Sequence, residues 1–270
     1  MSDRTDLVYY YDGSFNGFLC CIFDCYDRRE DPTLILPQDS DQGVLFESHT
    51  VETSGEKAGR VLRSIPKKIG PEALEILHLG FLAALPDREL LLLRFVRQGL
   101  SQGPALLRRI TQEPLCTLLQ TVQAVKHEAH LFTGFVRFSD HGGALTAVIT
   151  PKHNVLPVMA EHFCSRFSGE RFLIYDKAHK LALVHEPGRA EIIPLELQEL
   201  PGPTDEERRV RALWRQFYKT IAIEERYNPR CRMSHMPKHF WQDMTEFQSD
   251  PPAGPLPVSA GAPELPLAVE

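Results

Sequence analysis

The chain has 270 residues, 43% of them hydrophobic and 24% charged, enough to bury a substantial core. Its formal charge of −6 argues against a protein that coats nucleic acid indiscriminately. The longest apolar stretch, residues 74–100, is interrupted by Glu75, Asp87, Arg88, Glu89, Arg94 and Arg97 and cut by Pro86. It falls short of the ~20 apolar residues that a bilayer span needs. Ser2, Asp3, Arg4, Thr5 and Asp6 do not form the charged-then-apolar pattern of a secretory signal, so a soluble, cytoplasmic protein is expected. Six cysteines are present without a C-x-x-C pair, which excludes a zinc ribbon or a thioredoxin-type site and fits a reducing compartment. Cys21 and Cys25, four apart on a helix, could share a metal; as small buried apolar residues they need none.

Taken in chain order, residues 7–11 read as a strand and Asp12-Gly13-Ser14 as a turn and helix cap. Phe15, Phe18, Leu19, Ile22, Phe23 and Tyr26 recur at helical spacing. That helix fades over 27–32, a polar loop covers 38–43, and 44–46 is a short strand-like piece. From Glu56 to Glu128 the pattern is helical almost throughout. Pro71 is placed for a first turn, Pro86-Asp87 separates two helices, and Gly103-Pro104 and Glu113-Pro114 punctuate the rest. The period then shifts to two: Phe132, Gly134, Val136 and Phe138 read as one strand, His141-Gly142-Gly143 as a turn, and Leu145, Ala147 and Ile149 as the return strand.

Asn154 is predicted to cap a helix carrying Val158, Met159, His162, Phe163 and Phe167, with strands following at 172–175, 181–185 and 191–195. Pro201-Gly202-Pro203 reads as a linker. The last long helix is expected to turn Val210, Leu213, Trp214, Phe217, Ile221 and Ile223 toward the core until Asn228-Pro229 stops it. Pro237 opens a short terminal helix. The fold expected is a single α+β domain over residues 1–248. It comprises an antiparallel sheet in the order β-β-α-β-β-β, an inserted helical bundle at about 56–128 and a C-terminal helix. Residues 249–270 read as a disordered Pro-rich tail.

Charge is unevenly spread. Residues 208–241 hold nine basic side chains against Glu224 and Glu225, a surplus of +7 on an otherwise acidic chain. Arg226, Arg230, Arg232 and Lys238, interleaved with Tyr227 and Trp241, suit a phosphate backbone with exposed bases. The basic residues of 208–219 fit equally the solvated face of an amphipathic helix. His153, His162 and Asp176 are candidates for acid–base chemistry, although structural histidines explain the same pattern. The neighbourhood of His153 and His162 carries no zinc-protease spacing. The chain has no nucleophile-elbow, Walker or dinucleotide motif, and no cysteine cluster for an iron–sulfur centre. No metal or cofactor is expected.

Several of these segments resemble one bacterial family. They are residues 10–15 (Tyr10, Tyr11, Asp12, Gly13, Ser14, Phe15) with Gly17-Phe18-Leu19; Phe135-Val136-Arg137-Phe138; and His153-Asn154-Val155-Leu156-Pro157 with His162-Phe163 and Arg166-Phe167. The closing block Glu225-Arg226-Tyr227-Asn228-Pro229-Arg230, followed by Met236-Pro237-Lys238 and Trp241, completes the match over roughly residues 7–247. The family is a domain of unknown function, described in terms of DNA metabolism or DNA repair. Its members are linked to a radical-SAM protein and sometimes fused to a uracil-DNA-glycosylase-like domain. The sequence departs at Tyr175, before Asp176, where the resemblance leads one to expect histidine. It also lacks the glycosylase domain and the radical-SAM cysteines. The resemblance implies a DNA-binding accessory protein whose partners are DNA and a radical-SAM protein. Two alternatives stand beside it: an enzyme acting on DNA or a nucleotide through His153, His162 and Asp176 gathered near Tyr11 and Asp12, and a protein–protein adaptor without DNA contact.

Overall fold

The structure, a computed structural model, describes residues 7–40, 46–197, 202–223, 225 and 227–248. Arg226, residues 44 and 45 of the strand-like piece, Pro201 and the Pro-rich stretch 249–270 lie outside the described residues. The chain divides into two compact units, Met1–Gly134 with Pro151–Phe163, and Phe135–Thr150 with Cys164–Glu270. Among the described residues no helix is long and apolar enough to cross a membrane.

The first unit is built on a parallel sheet. Strand β1 (Leu7–Tyr11) lies between β2 (Leu34–Pro37) and β3 (Glu47–Thr50) and runs parallel to both. Helix α1 (Phe15–Asp27) makes the β1-to-β2 crossover that a parallel pair requires. It starts where the sequence indicates: Ser14 caps it by accepting the Gly17 N–H at 2.9 Å, and Gly13 supplies the left-handed φ of 77° in the turn. Four helices follow: α2 (Gly55–Lys68), α3 (Pro71–Phe81), α4 (Arg88–Gln102) and α5 (Leu115–Phe135). Tyr9, Tyr11, Phe18, Ile65, Leu77, Leu92 and Phe95 are fully buried in the core they share. Cys20, Cys21 and Cys25 also lie in that core as free thiols, and burial pushes the Cys25 thiol up to about 12.

The second unit holds a five-stranded sheet in the order β4 (Ser139–Asp140), β5 (Leu145–Ile149), β6 (Phe172–Asp176), β7 (Leu181–Glu186) and β8 (Arg189–Pro194). Helix α6 (Leu156–Arg166) links β5 to β6, and these two strands pair in parallel; the other neighbours are antiparallel. The expected single antiparallel sheet is therefore corrected twice. There are two sheets, three-stranded parallel and five-stranded mixed. The parallel β5–β6 pair arises because a helix-long connection returns the chain to the same edge, whereas a hairpin would reverse it.

Two local expectations change as well. The residues expected to form the first hairpin strand are mostly helical, because α5 continues to Phe135 and buries Phe132; β4 keeps only Ser139–Asp140. The His141-Gly142-Gly143 turn itself forms, closed by His141 N–H donating to the Ala144 carbonyl at 3.0 Å. Helix α7 (Asp205–Thr220) presents its apolar residues outward. Val210, Leu213, Phe217 and Ile221 are at least half exposed, while Glu207, Arg211 and Arg215 face inward. The inward side is ionic because it meets polar partners: Glu207 accepts from Asp140 N–H and Arg211 Nε, Arg211 donates to Ser139 Oγ, and Arg215 donates to the carbonyls of Thr245 and Gln248.

Candidate nucleic-acid interface

The first family-like motif sits at the carboxyl end of the parallel sheet, beside the central strand from which the order reverses. Open α/β sheets place ligands there. Tyr11 is buried and donates to Glu89 Oε1 at 2.8 Å; burial and the Glu89 carboxylate raise its phenol above the ordinary range. Asp12 accepts the N–H and hydroxyl of Ser14 on one oxygen and the Thr53 hydroxyl on the other. Partial burial works against its ionisation, yet these hydrogen bonds hold the carboxyl below its usual value of 3.8. A Cβ at Gly17 would stand 2.1 Å from Asp12 Oδ1, so glycine is what lets α1 approach this closely. The cluster closes on itself and ties the ends of β1 and β3 to the start of α1.

A depressed folded-state pKa contributes stability that is present above the unfolded value and lost as pH falls through the folded one. Asp12→Asn is accordingly expected to lower the stability at pH 7 by about 1 kcal/mol. The gap to the parent should close as pH falls below the usual carboxylate value of 3.8 and through the depressed one, measured by urea denaturation across pH; a gap that is constant with pH would refute the ionic role.

His153 and Asn154 belong to the same unit. His153 is 6% exposed, and its Nδ1 accepts the Ala84 N–H at 3.0 Å, which places the neutral ring's proton on Nε2. Glu128, also buried, accepts the backbone N–H groups of Lys152 and His153 at 2.9 and 2.8 Å. Asn154 donates its backbone N–H to Leu82, and its side-chain oxygen is buried without a hydrogen-bond partner among the described residues, so it does not cap α6. His162 is exposed on α6 with its ring edge-on to Phe163. Asp176, in the second unit, is fully buried at the end of β6; it accepts from Ala178 and His179 N–H and pairs with His179 Nδ1 at 2.7 Å. Each of the three acid–base candidates thus has local work of its own: His153 on Ala84, His162 on Phe163, Asp176 on the β6–β7 turn. His179, held by a buried carboxylate and a quarter exposed, is a residue the sequence reading passed over. Arg166 is exposed, 5.9 Å from the Phe167 ring centre.

The basic C-terminal segment folds in the second unit. Asn228 caps the short helix α8 (Pro229–His235) by accepting Cys231 N–H at 3.1 Å. Two 3-10 turns follow, Lys238–Asp243 and Thr245–Phe247. Arg232 threads among three rings, its guanidinium carbon 4.7 Å from Trp241, 4.9 Å from Phe247 and 5.6 Å from Tyr218. Trp241 also stacks on Phe247 at 4.7 Å and donates Nε1–H to Met236. Arg232 and Trp241 are therefore internal to the segment and brace it. Tyr227, 71% exposed, and the exposed Arg230 and Lys238 are its outward groups, and residues 227–241 contain no carboxylate.

The second unit also holds a small pocket of about 110 Å³ whose lining includes Arg137, Ser139, Arg211 and Asp243. Burial raises the Asp243 carboxyl, against hydrogen bonds from Thr150. Arg137 grips Glu246 through Nε and a terminal nitrogen, the latter at 2.8 Å, and the Glu246 side chain is 2% exposed. This pair anchors the Thr245–Phe247 turn, whose Phe247 forms one wall around Arg232. Sequence reading missed it because the partners stand 109 residues apart.

The chain belongs to the family described as a domain of unknown function, DUF4130, whose model matches residues 86–246. That match takes in the Arg137–Glu246 pair and the whole of α8. No curated protein and no solved structure matches the chain.

Proposed function

We propose that the protein is a nucleic-acid-binding accessory factor in DNA repair or DNA metabolism, acting with a radical-SAM partner. The observation that carries the nucleic-acid part is the carboxylate-free 227–241 segment, which presents Tyr227, Arg230 and Lys238 outward. Arg232, Trp241 and Phe247 hold that segment's shape from within. Cations beside an open aromatic ring suit a backbone phosphate with an unstacked base, which favours single-stranded over duplex DNA. Arg226, next to Tyr227 in sequence, adds a further charge. The repair context and the radical-SAM partner are supported by the family resemblance of the Tyr10–Phe15, His153–Pro157 and Glu225–Arg230 motifs. The test is fluorescence anisotropy of labelled single-stranded and duplex oligonucleotides titrated with the protein at low salt. Binding with a single-strand preference is expected; absence of binding to both would overturn the proposal.

A second reading, the protein–protein adaptor, is favoured by α7. Its outward stripe of Val210, Leu213, Trp214, Phe217 and Ile221 is 40% to 67% exposed, an unusual display of large apolar side chains. Co-purification with the radical-SAM partner in the absence of DNA would support the adaptor, and failure to co-purify would count against it.

A further inference from the structure

The first unit carries two adjoining basins, both lined by its own residues. One, of about 550 Å³, opens between α1, α2 and α4, with an aliphatic floor of Ile22, Val61, Val96 and Leu100 and the rings of Phe23 and Tyr26 at its side. The other, of about 260 Å³, is lined by Arg60, Arg63, Ser64, Lys67 and Lys68. They share the edge Arg60, Ser64 and Lys68, spaced four residues apart and so aligned about 6 Å apart along one face of α2. A mostly apolar cavity with an open aromatic ring therefore borders one lined by the long side chains of four basic residues and by Ser64.

The charges on that face are unbalanced. Of the charged residues of α2, Lys57, Arg60, Arg63, Lys67 and Lys68 are basic and Glu56 alone is acidic. Lys57 is engaged with the buried Asp24 at 2.7 Å. Arg60, Arg63, Lys67 and Lys68 are exposed and have no carboxylate within ion-pair distance among the described residues. Arg60 lies over Phe23, 4.9 Å from the ring centre, which covers that ring and leaves Tyr26, 46% exposed, as the available stacking surface. Asp27 is the single acid lining the larger basin. On a chain of net charge −6, four uncompensated cations in about two turns of helix create a local anion-attracting field.

We propose that this double basin binds a nucleotide. The base lies on the aliphatic floor against Tyr26, within reach of the Asp27 carboxylate as acceptor for a ring or exocyclic N–H. The phosphates rest in the basin of Arg60, Arg63, Lys67 and Lys68, with the Ser64 hydroxyl at the junction. The larger volume falls within the range of small-ligand sites. The nucleotide is either free or one unit of a strand, and the two sources share this chemistry. The site belongs to the first unit and the 227–241 segment to the second, and neither proposal rests on the other.

Isothermal titration with ADP, adenosine, inorganic phosphate and an oligothymidylate separates the possibilities. ADP is expected to bind, and Arg63→Glu with Lys67→Glu to weaken it by about tenfold or more while sparing adenosine. Tyr26→Ala should weaken ADP and adenosine alike, since stacking contributes to both. Displacement of ADP by the oligonucleotide assigns the site to a strand; ADP binding that the oligonucleotide leaves intact assigns it to the free nucleotide. Amide shifts in the unaltered protein on adding ADP should centre on residues 60–68 and Tyr26, which keeps the test valid should a variant unfold. No ADP or oligonucleotide binding, shifts confined elsewhere, or phosphate competing as well as ADP would each overturn the proposal. An Arg230→Glu, Lys238→Glu variant is expected to bind ADP normally, so failure of either site reads out separately.

Discussion

Glu246→Ala is expected to destabilise the protein by about 3–5 kcal/mol, the cost of removing one partner of a largely buried ion pair. Glu246 receives three hydrogen bonds from Arg137 while almost wholly withdrawn from water. The loss should appear in urea denaturation as a lower midpoint at unchanged slope. Arg137→Met combined with Glu246→Leu should recover most of it, because replacing both partners removes the partly buried charge together with the pair. A second consequence follows from position. The turn fixed by this pair presents Phe247 to Arg232 and Trp241, so the single variant should also loosen the 227–241 segment and reduce DNA affinity. A destabilisation below about 1 kcal/mol would mean that the pair behaves as an exposed one.

Charge reversal at Arg230 and Lys238 together is expected to weaken single-strand binding by about 10- to 100-fold near physiological salt, through lost phosphate contacts and added repulsion. Both side chains are exposed, so the fold should hold, and the circular dichroism spectrum and thermal midpoint should match the parent. Tyr227→Ala should remove about 1–3 kcal/mol of binding with little change in salt dependence, since stacking is not ionic. Arg232→Ala differs in kind: it empties the space among Tyr218, Trp241 and Phe247 and should lower stability as well as affinity.

Much of the architecture was legible where a local rule decides it. Gly13 and Ser14 announced the start of α1, Pro71 that of α3, and Leu145, Ala147 and Ile149 alternate as a strand should. What the sequence withheld was mostly relational. Strand β2 is a four-residue apolar run ending in Pro37, too short to display a period, and it exists because β1 offers it a parallel edge. The parallel pairing of β5 and β6 depends on α6 lying between them, which no pattern inside either strand records. Helix α7 is instructive because both its stripes have helical spacing. The usual rule turns the apolar stripe inward, but Ser139, Thr245 and Gln248 offer polar partners that draw Arg211 and Arg215 in. The same reversal removes those arginines from the basic surface that residues 208–219 suggested.

The candidate site divides in the same way. Its composition was readable, since a stretch without carboxylates is visible in one dimension. The division of labour was not: Arg232 and Trp241 brace while Tyr227, Arg230 and Lys238 face outward, and this follows from Phe247 and Tyr218 arriving from elsewhere in the chain. The α2 basins are not legible in the sequence because Phe23 and Tyr26 share the helical spacing of the core residues Phe18, Leu19 and Ile22, whereas Tyr26 is nearly half exposed.

The salt dependence of single-strand binding by the unaltered protein tests the central claim most directly. Contact with two or three phosphates through Arg230, Lys238 and Arg226 gives a plot of log affinity against log salt with a slope of about −1.4 to −2.1, at roughly −0.7 per phosphate. An affinity indifferent to salt, or no binding even at about 50 mM, would contradict it.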